Sequence, residues 1–411
     1  MNQELRAASE MKDSGVEWIG DIPSGWRITK LKNALTINFG QSPEGELNLE
    51  GNGVPFYQGK ADFGERYPTP SVWCNNPKKI AEKNDILISV RAPVGELNIC
   101  QKTAGIGRGI AALGSLTYNF YYYILIAAKG EMEKLSNGST FDAIGYRELS
   151  GIKLPNPENK EKEQISKFLD SETSKIQKLI ETKTKQIQLL QEYEKSLIHH
   201  AVTKGLDSKA KMKDSGVEWI GEMPDTWTTK RFKYVCDYEK GKSPDGFLDN
   251  ASINTQPYLE MEYLRGQSEP KYTILSENSV MVNDGDILLL WDGSKAGEFV
   301  IGKKGILSST MAKIIEKKKK PLLKYLLKSF ESVLIDLTNG MGIPHVRSEI
   351  LMNIRVPVVP DDEDKQIMVY LDSETSKIHQ TINTIETQII KLEEYKKSLI
   401  YQVVTGKVKV S

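Results

Sequence analysis

The chain has 411 residues, and its 55 Lys and Arg are balanced by 55 Asp and Glu, so the formal net charge is zero. That length holds two or three domains, each with its own core, and 39% hydrophobic with 27% charged residues is an ordinary soluble composition. The charge balance excludes bulk attraction to a polyanion as the main binding device. Cys74, Cys100 and Cys236 are too scattered for a paired-cysteine metal site or a disulfide framework.

Met1 to Glu10 lacks the basic-then-apolar pattern of a secretory signal, and the longest apolar run, Phe120 to Ala128, is too short to span a bilayer. The expectation is a cytoplasmic protein with reduced thiols and no membrane contact.

Taken in order, the chain opens on the string Met11–Gly20, followed by Pro23 and Trp26. Ile86–Val90 reads as a buried strand. Residues 118–135 read as a short helix, followed by a Gly-bearing loop, Asn137–Thr140. A last strand, Gly151–Leu154, leads to Pro155 and Pro157, which end the segment.

Then comes a long helix, from about Glu161 to Thr203 and closed by Gly205. Leu169, Thr173, Ile176, Ile180, Ile187, Leu190, Leu197 and Ala201, with Lys183 and Glu194 in the remaining places, alternate spacings of four and three. That is the heptad seam of a coiled coil. About forty helical residues extend roughly 60 Å at ~1.5 Å each, and one such helix cannot bury its own stripe.

The second half repeats the first. Met11–Gly20 returns unchanged as Met212–Gly221, with Pro224 and Trp227 behind it, and Gly40-Gln-Ser-Pro43 returns as Gly241-Lys-Ser-Pro244. Ile287–Trp291 reads as the matching strand, 321–337 as a helix opened by Pro321, Asn339–Gly342 as the loop and Asn353–Val356 as the last strand. The octet Leu169–Ile176 reappears as Leu371–Ile378. It opens a second seam through Leu371, Thr375, Ile378, Ile382, Ile385, Ile389, Leu392, Leu399 and Val403. The two helices are expected to pack together. Residues 54–115 and 256–312 share little beyond their strand-like punctuation.

The predicted fold is mixed α/β (α+β). It has globular regions at 1–158 and 207–360 and long helices at 159–206 and 361–411, pairing as an antiparallel coiled coil with an internal pseudo-twofold repeat. Twofold-related readers suit duplex DNA, and a coiled-coil adaptor presenting two protein-binding heads fits the same pattern.

Several strings resemble the specificity subunit of type I restriction–modification systems. They are Met11 to Trp26, Gln164-Ile165 leading into Phe168-Leu169, Glu192–Ile198 and Ala201–Thr203, with matches in both halves. The resemblance implies two target-recognition domains, each reading one half of an interrupted DNA sequence. The helices would set the gap and dock two methyltransferase subunits, with restriction/translocase subunits joining for cleavage. S-adenosylmethionine would be the cofactor of the methyltransferase partner, not of this chain. One departure from the family pattern is Lys365, where the first copy has the acidic Glu163 before the glutamine.

Chemistry within the chain is not expected. Asn76-Pro-Lys and Asn156-Pro-Glu lack the second proline and aromatic that hold a flipped adenine. Gly105, Gly107 and Gly109 read as a turn rather than a dinucleotide loop. Pro360-Asp361 and Asp364-Lys365 read as a solvated charge run in one loop, unlike the converging carboxylates of a metal nuclease. His199 and His200 diverge on a helix and read as helix-end charge rather than metal ligands. No catalytic or metal residue is assigned.

Reading bases requires bidentate donors, such as Arg to guanine or Gln/Asn to adenine, on short rigid loops. The candidates are Gln41, Ser42, Gln58, Lys60, Arg91, Arg108, Ser139, Thr140 and Arg147 in the first half, and Lys242, Ser243, Lys295, His345 and Arg347 in the second. Gln41 and Lys242 occupy matching positions, a constant loop with a variable head group. Lys317 to Lys320 read either as phosphate contacts or as a solvated entrance to the next helix.

Overall fold

A computed structural model describes residues 3–44, 46–136, 143–338 and 344–410. It divides into two compact units, Met1–Thr184 with Glu386–Ser411, and Lys185–Ile385. Each unit therefore takes one globular region and part of each long helix.

In the first unit Ile86–Ser89 is buried along its whole length, so it sits centrally in an antiparallel sheet. The strand order there is Leu97–Ile99, Ile86–Ser89, Ile110–Gly114, Thr36–Phe39. A second sheet contains one parallel pair, Val54–Tyr57 beside Ala104–Ile106. The second unit repeats the plan. Phe299–Ile301, Ile287–Leu290, Met311–Glu316 and Cys236–Lys240 form the antiparallel sheet, and Thr255–Leu259 beside Gly305–Leu307 is its parallel pair. The last strands fall two residues later than expected, at Lys153–Asn156 and Arg355–Val358. Gly151 and Asn353 still close the short helices Tyr146–Gly151 and Ser348–Asn353.

The apolar run at Phe120 lies in the helix Tyr118–Ala127, where Phe120 through Leu125 are all buried. It is a core helix, hydrophobic all round because protein surrounds it. Among the described residues no helix is long and apolar enough to cross a membrane.

The long helices run over Asn159–Lys204 and Asp361–Val404. In the first unit Lys183 Nζ donates to Gln388 Oε1 at 2.6 Å and Lys396 Nζ to Gln177 Oε1 at 3.1 Å. As numbers rise on one helix they fall on the other, so the pair is antiparallel. In the second unit His379 Nε2 lies 2.8 Å from Glu194 Oε1, in the same sense. The polar residues of the first seam, Lys183 and Glu194, thus bond to the facing helix. Burial follows the heptads. Leu169, Ile176, Leu371, Ile378, Ile382, Ile385 and Leu399 are buried, and Ile180, Ile187, Leu190, Leu197, Ile389 and Leu392 are half-buried.

The repeated strings have physical reasons. Asp13 and Asp214 each accept from a backbone N–H two residues on, at Gly15 and Gly216, both 2.9 Å. Each starts a turn that buries Ile19 or Ile220. Trp26 Nε1 donates to Glu161 Oε2 and Trp227 Nε1 to Glu363 Oε2, both at 2.8 Å, pinning the first turn of each long helix. Within the octet, Leu and Ile serve the seam while Asp and Thr hold a tyrosine. Tyr123 Oη donates to Asp170 at 2.7 Å and meets Thr173 Oγ1 at 3.1 Å, and Tyr325 does the same with Asp372 at 2.7 Å and Thr375 at 3.0 Å. Burial pushes the Tyr325 hydroxyl up to about 12, so it remains a donor. The departure at Lys365 is harmless because Glu163 and Lys365 are both exposed; the anchoring acid stands two residues earlier.

Four expectations are corrected. Asp361 to Lys365 is not a loop but the first turn of the second long helix. Lys318 and Lys320 hold Asp361 at 3.0 and 2.6 Å, which lowers its carboxyl to about 2. Those two lysines are thus occupied in pinning a helix start. His199 is no helix-end charge at neutral pH. Its Nδ1 lies 3.1 Å from Ser329 Oγ, and burial, with Lys204 and His200 nearby, pushes its pKa down. Finally, helix ends at Val404, and Val408–Val410 is a strand antiparallel to Gln3–Leu5.

Leu371 is fully buried, whereas Leu189 on the other long helix is 54% exposed. Leu371→Ala should lower the unfolding free energy by about 2–5 kcal/mol, and Leu189→Ala by no more than about 0.5. Urea unfolding checks the contrast; equal effects would contradict the seam assignment.

Candidate nucleic-acid interface

Two sharp backbone approaches build a concave rim in the first unit. Gly40 donates its N–H to the Ile110 carbonyl at 2.9 Å, and Gln41 to the Ile106 carbonyl at 3.0 Å. This lays the Gly-Gln-Ser-Pro loop against the turn Gly107–Gly109. A Cβ on Gly40 would stand 2.2 Å from the Gly107 carbonyl oxygen, and one on Gly109 2.3 Å from that of Gln58. Only glycine permits these contacts. Gly105 thus lies in a strand, and Gly107 and Gly109 serve the close turn after it.

The result is a pocket of about 240 Å³ lined by Ser42, Gln58, Lys60, Arg91 and Arg108 among others. Five first-half candidates from distant stretches of chain meet in one place. Arg91 and Arg108 are exposed, and their side chains form no hydrogen bond or ion pair with described residues. Lys60 lies 3.6 Å from Glu96, and Gln41 is exposed beside the pocket. Arg147 is exposed in the first turn of Tyr146–Gly151, two residues past Gly145, in the segment whose Ala143 bridges Arg91. Ser139 and Thr140 lie outside the described residues, as do the loops Asn137–Thr140 and Asn339–Gly342.

The second unit builds the same rim. Gly241 donates to the Met311 carbonyl at 2.9 Å, and a Cβ on it would meet the Ser308 carbonyl oxygen at 2.2 Å. Lys242 Nζ donates to Asn278 Oδ1 at 3.1 Å, and Ser243 is exposed. His345 bridges Asp292 through the backbone. Arg347 caps the helix Ser348–Asn353, its Nη2 3.5 Å from the Leu337 carbonyl. Lys295 is exposed on the loop after the central strand.

Strand register aligns the two rims position by position. Ile106 pairs with Tyr57 as Leu307 pairs with Leu259, so Gln58 matches Glu260 and Arg108 matches Ser309. Val90 donates to the Gly109 carbonyl as Trp291 does to Thr310. Arg91 bridges Ala143 as Asp292 bridges His345. Glu260, Asp292 and Ser309 were missed from the sequence, because the interiors share little text around them and only register reveals the match.

Among the described residues no cluster of His, Cys, Asp and Glu could hold a metal. All three cysteines are free and buried, and burial pushes the Cys100 and Cys236 thiols up to about 12, so neither is a nucleophile.

A duplicated rim of exposed polar groups on a fixed frame defines a recognition protein. The family model for the type I restriction modification DNA specificity domain matches residues 23–189 and 224–390, one copy in each half. The chain belongs to that family. It is 42% identical over 186 residues to the type I restriction enzyme MjaVIII specificity subunit of Methanocaldococcus jannaschii, 44% of this chain and 43% of that protein. It is 44% identical over 158 residues to the putative MjaX specificity subunit of the same organism, 37% of each chain. The matches thus span less than half the length of these two relatives. The MjaIX specificity subunit of the same organism aligns over 99% of this chain and 98% of its own at 22% identity. In fold, the chain resembles one from a solved structure on complex assembly and conformational transition of the type I R-M system. The TM-score is 0.70 at 13% identity, covering 94% of this chain and 99% of that one.

Gly40→Ala and Gly241→Ala should each displace the facing carbonyl and lower the melting temperature by several degrees, whereas Arg108→Ala, exposed and unbonded, should leave it within about a degree. Calorimetry of the three variants checks this, and a tolerated Gly40→Ala would contradict the close approach.

Proposed function

We propose that this chain is the DNA-recognition subunit of a type I restriction–modification complex, reading a bipartite target with one rim per half-site. The carrying observation is the recurrence of one backbone rim in two units with different side chains on it. A constant frame presents different readers in one docking geometry. The two family matches support the same reading. The chain is non-catalytic. Two methyltransferase subunits, holding S-adenosylmethionine, modify adenine, and restriction/translocase subunits cleave.

With no net charge on the chain, few counterions are released when it meets DNA alone. Tight binding therefore requires the methyltransferase subunits. Long-read sequencing of cells expressing the chain with its methyltransferase should show adenine methylated in a two-part motif, lost when the chain is deleted. Purified chain alone should bind duplex DNA weakly, the complex far more tightly. Methylation that persists in the same motif without the chain would refute the proposal.

A further inference from the structure

The two rims differ in polarity at aligned positions. Where the first has Gln58, Arg91 and Arg108, the second has Glu260, Asp292 and Ser309. The short helices Tyr146–Gly151 and Ser348–Asn353 extend the pattern, because Leu149 donates to Gly145 as Leu351 does to Arg347. That register aligns Arg147 with Glu349. Two further polar side chains of the second rim, His345 and Arg347, stand where the first has Ala143 and Gly145.

Among the described residues no carboxylate lines the first pocket and none bonds to the side chains of Arg91 and Arg108, which leaves both guanidinium forks as pure donors. In the second rim Asp292 accepts from Lys240 at 2.9 Å and Glu260 lies 3.2 Å from Lys271. Each bond uses only part of a carboxylate's acceptor capacity. The lysines orient both carboxylates and leave acceptor positions at the rim.

We infer that the two units read their half-sites with opposite hydrogen-bond polarity. Arg91 and Arg108 donate to guanine O6 and N7, while Glu260 and Asp292 accept from the exocyclic amino group of cytosine or adenine. The chemistry is that of direct major-groove readout, where arginine matches the two acceptors of guanine and a carboxylate matches an amino donor. It rests on the DNA-recognition reading above and adds the residues and base classes.

The test is the methylated motif written by the full complex in cells. The wild type should require a guanine in the half-site read by the first unit. Arg91→Asp with Arg108→Ser, which installs the second rim's residues, should relax that guanine by roughly ten-fold or more and leave the other half-site unchanged. Glu260→Gln with Asp292→Asn should relax only an amino-bearing base of the second half-site. All four side chains lie at the rim, and unchanged melting temperatures would confirm intact folding. A first half-site without guanine, or variants that weaken methylation evenly over all sequences as phosphate contacts would, overturns the polarity assignment alone. A wild-type complex that writes no two-part motif overturns the proposed function, and the assignment with it.

Discussion

Everything in this chain depends on one geometric debt: a helix of some forty residues with an apolar stripe cannot be stable in water unless a partner covers that stripe. The debt is met inside the chain, because the second long helix carries the same heptads in antiparallel sense. In both units a globular region is fastened to the start of a long helix by two bonds of the same kind. A tryptophan indole meets a glutamate in the first turn, and a tyrosine hydroxyl meets Asp and Thr about three to four turns in. Identity of sequence between the halves is concentrated in the parts that carry this fastening and the seam, with the Gly-x-Ser-Pro loop of each rim beside them.

The seams were legible in the sequence because heptad spacing is a local signal that needs no tertiary information. Every position named for them is buried or half-buried. The central strands were legible for a similar reason, as short apolar runs between turn residues. The fastening was not. Trp26 and Glu161 are far apart in the chain, and no spacing rule links them. The first turn at Asp361 was misread because four acidic residues in succession resemble a solvated run. At a helix N-terminus they are favoured by the dipole and by Lys318 and Lys320.

The rim was half legible. Residue chemistry singled out Ser42, Gln58, Lys60, Arg91 and Arg108, and the fold gathers them around one pocket. In the second unit the same search for donors found lysines and passed over Glu260 and Asp292, because acidic side chains are not expected to face a polyanion. Backbone register, invisible in divergent text, aligns them with the first rim. Gly40 and Gly241 explain how frame and reader separate. Each glycine locks its loop against a carbonyl, so the neighbouring residue, Gln41 or Lys242, is free to vary.

That separation is the central claim, and exchanging one region measures it most directly. Residues 30–150 would be replaced by the equivalent region of another family member and the methylated motif read by long-read sequencing of the host DNA. One half of the motif should change to that of the donor, with the other half as in the wild type. A motif in which both halves change together would contradict two independent readers on a common frame.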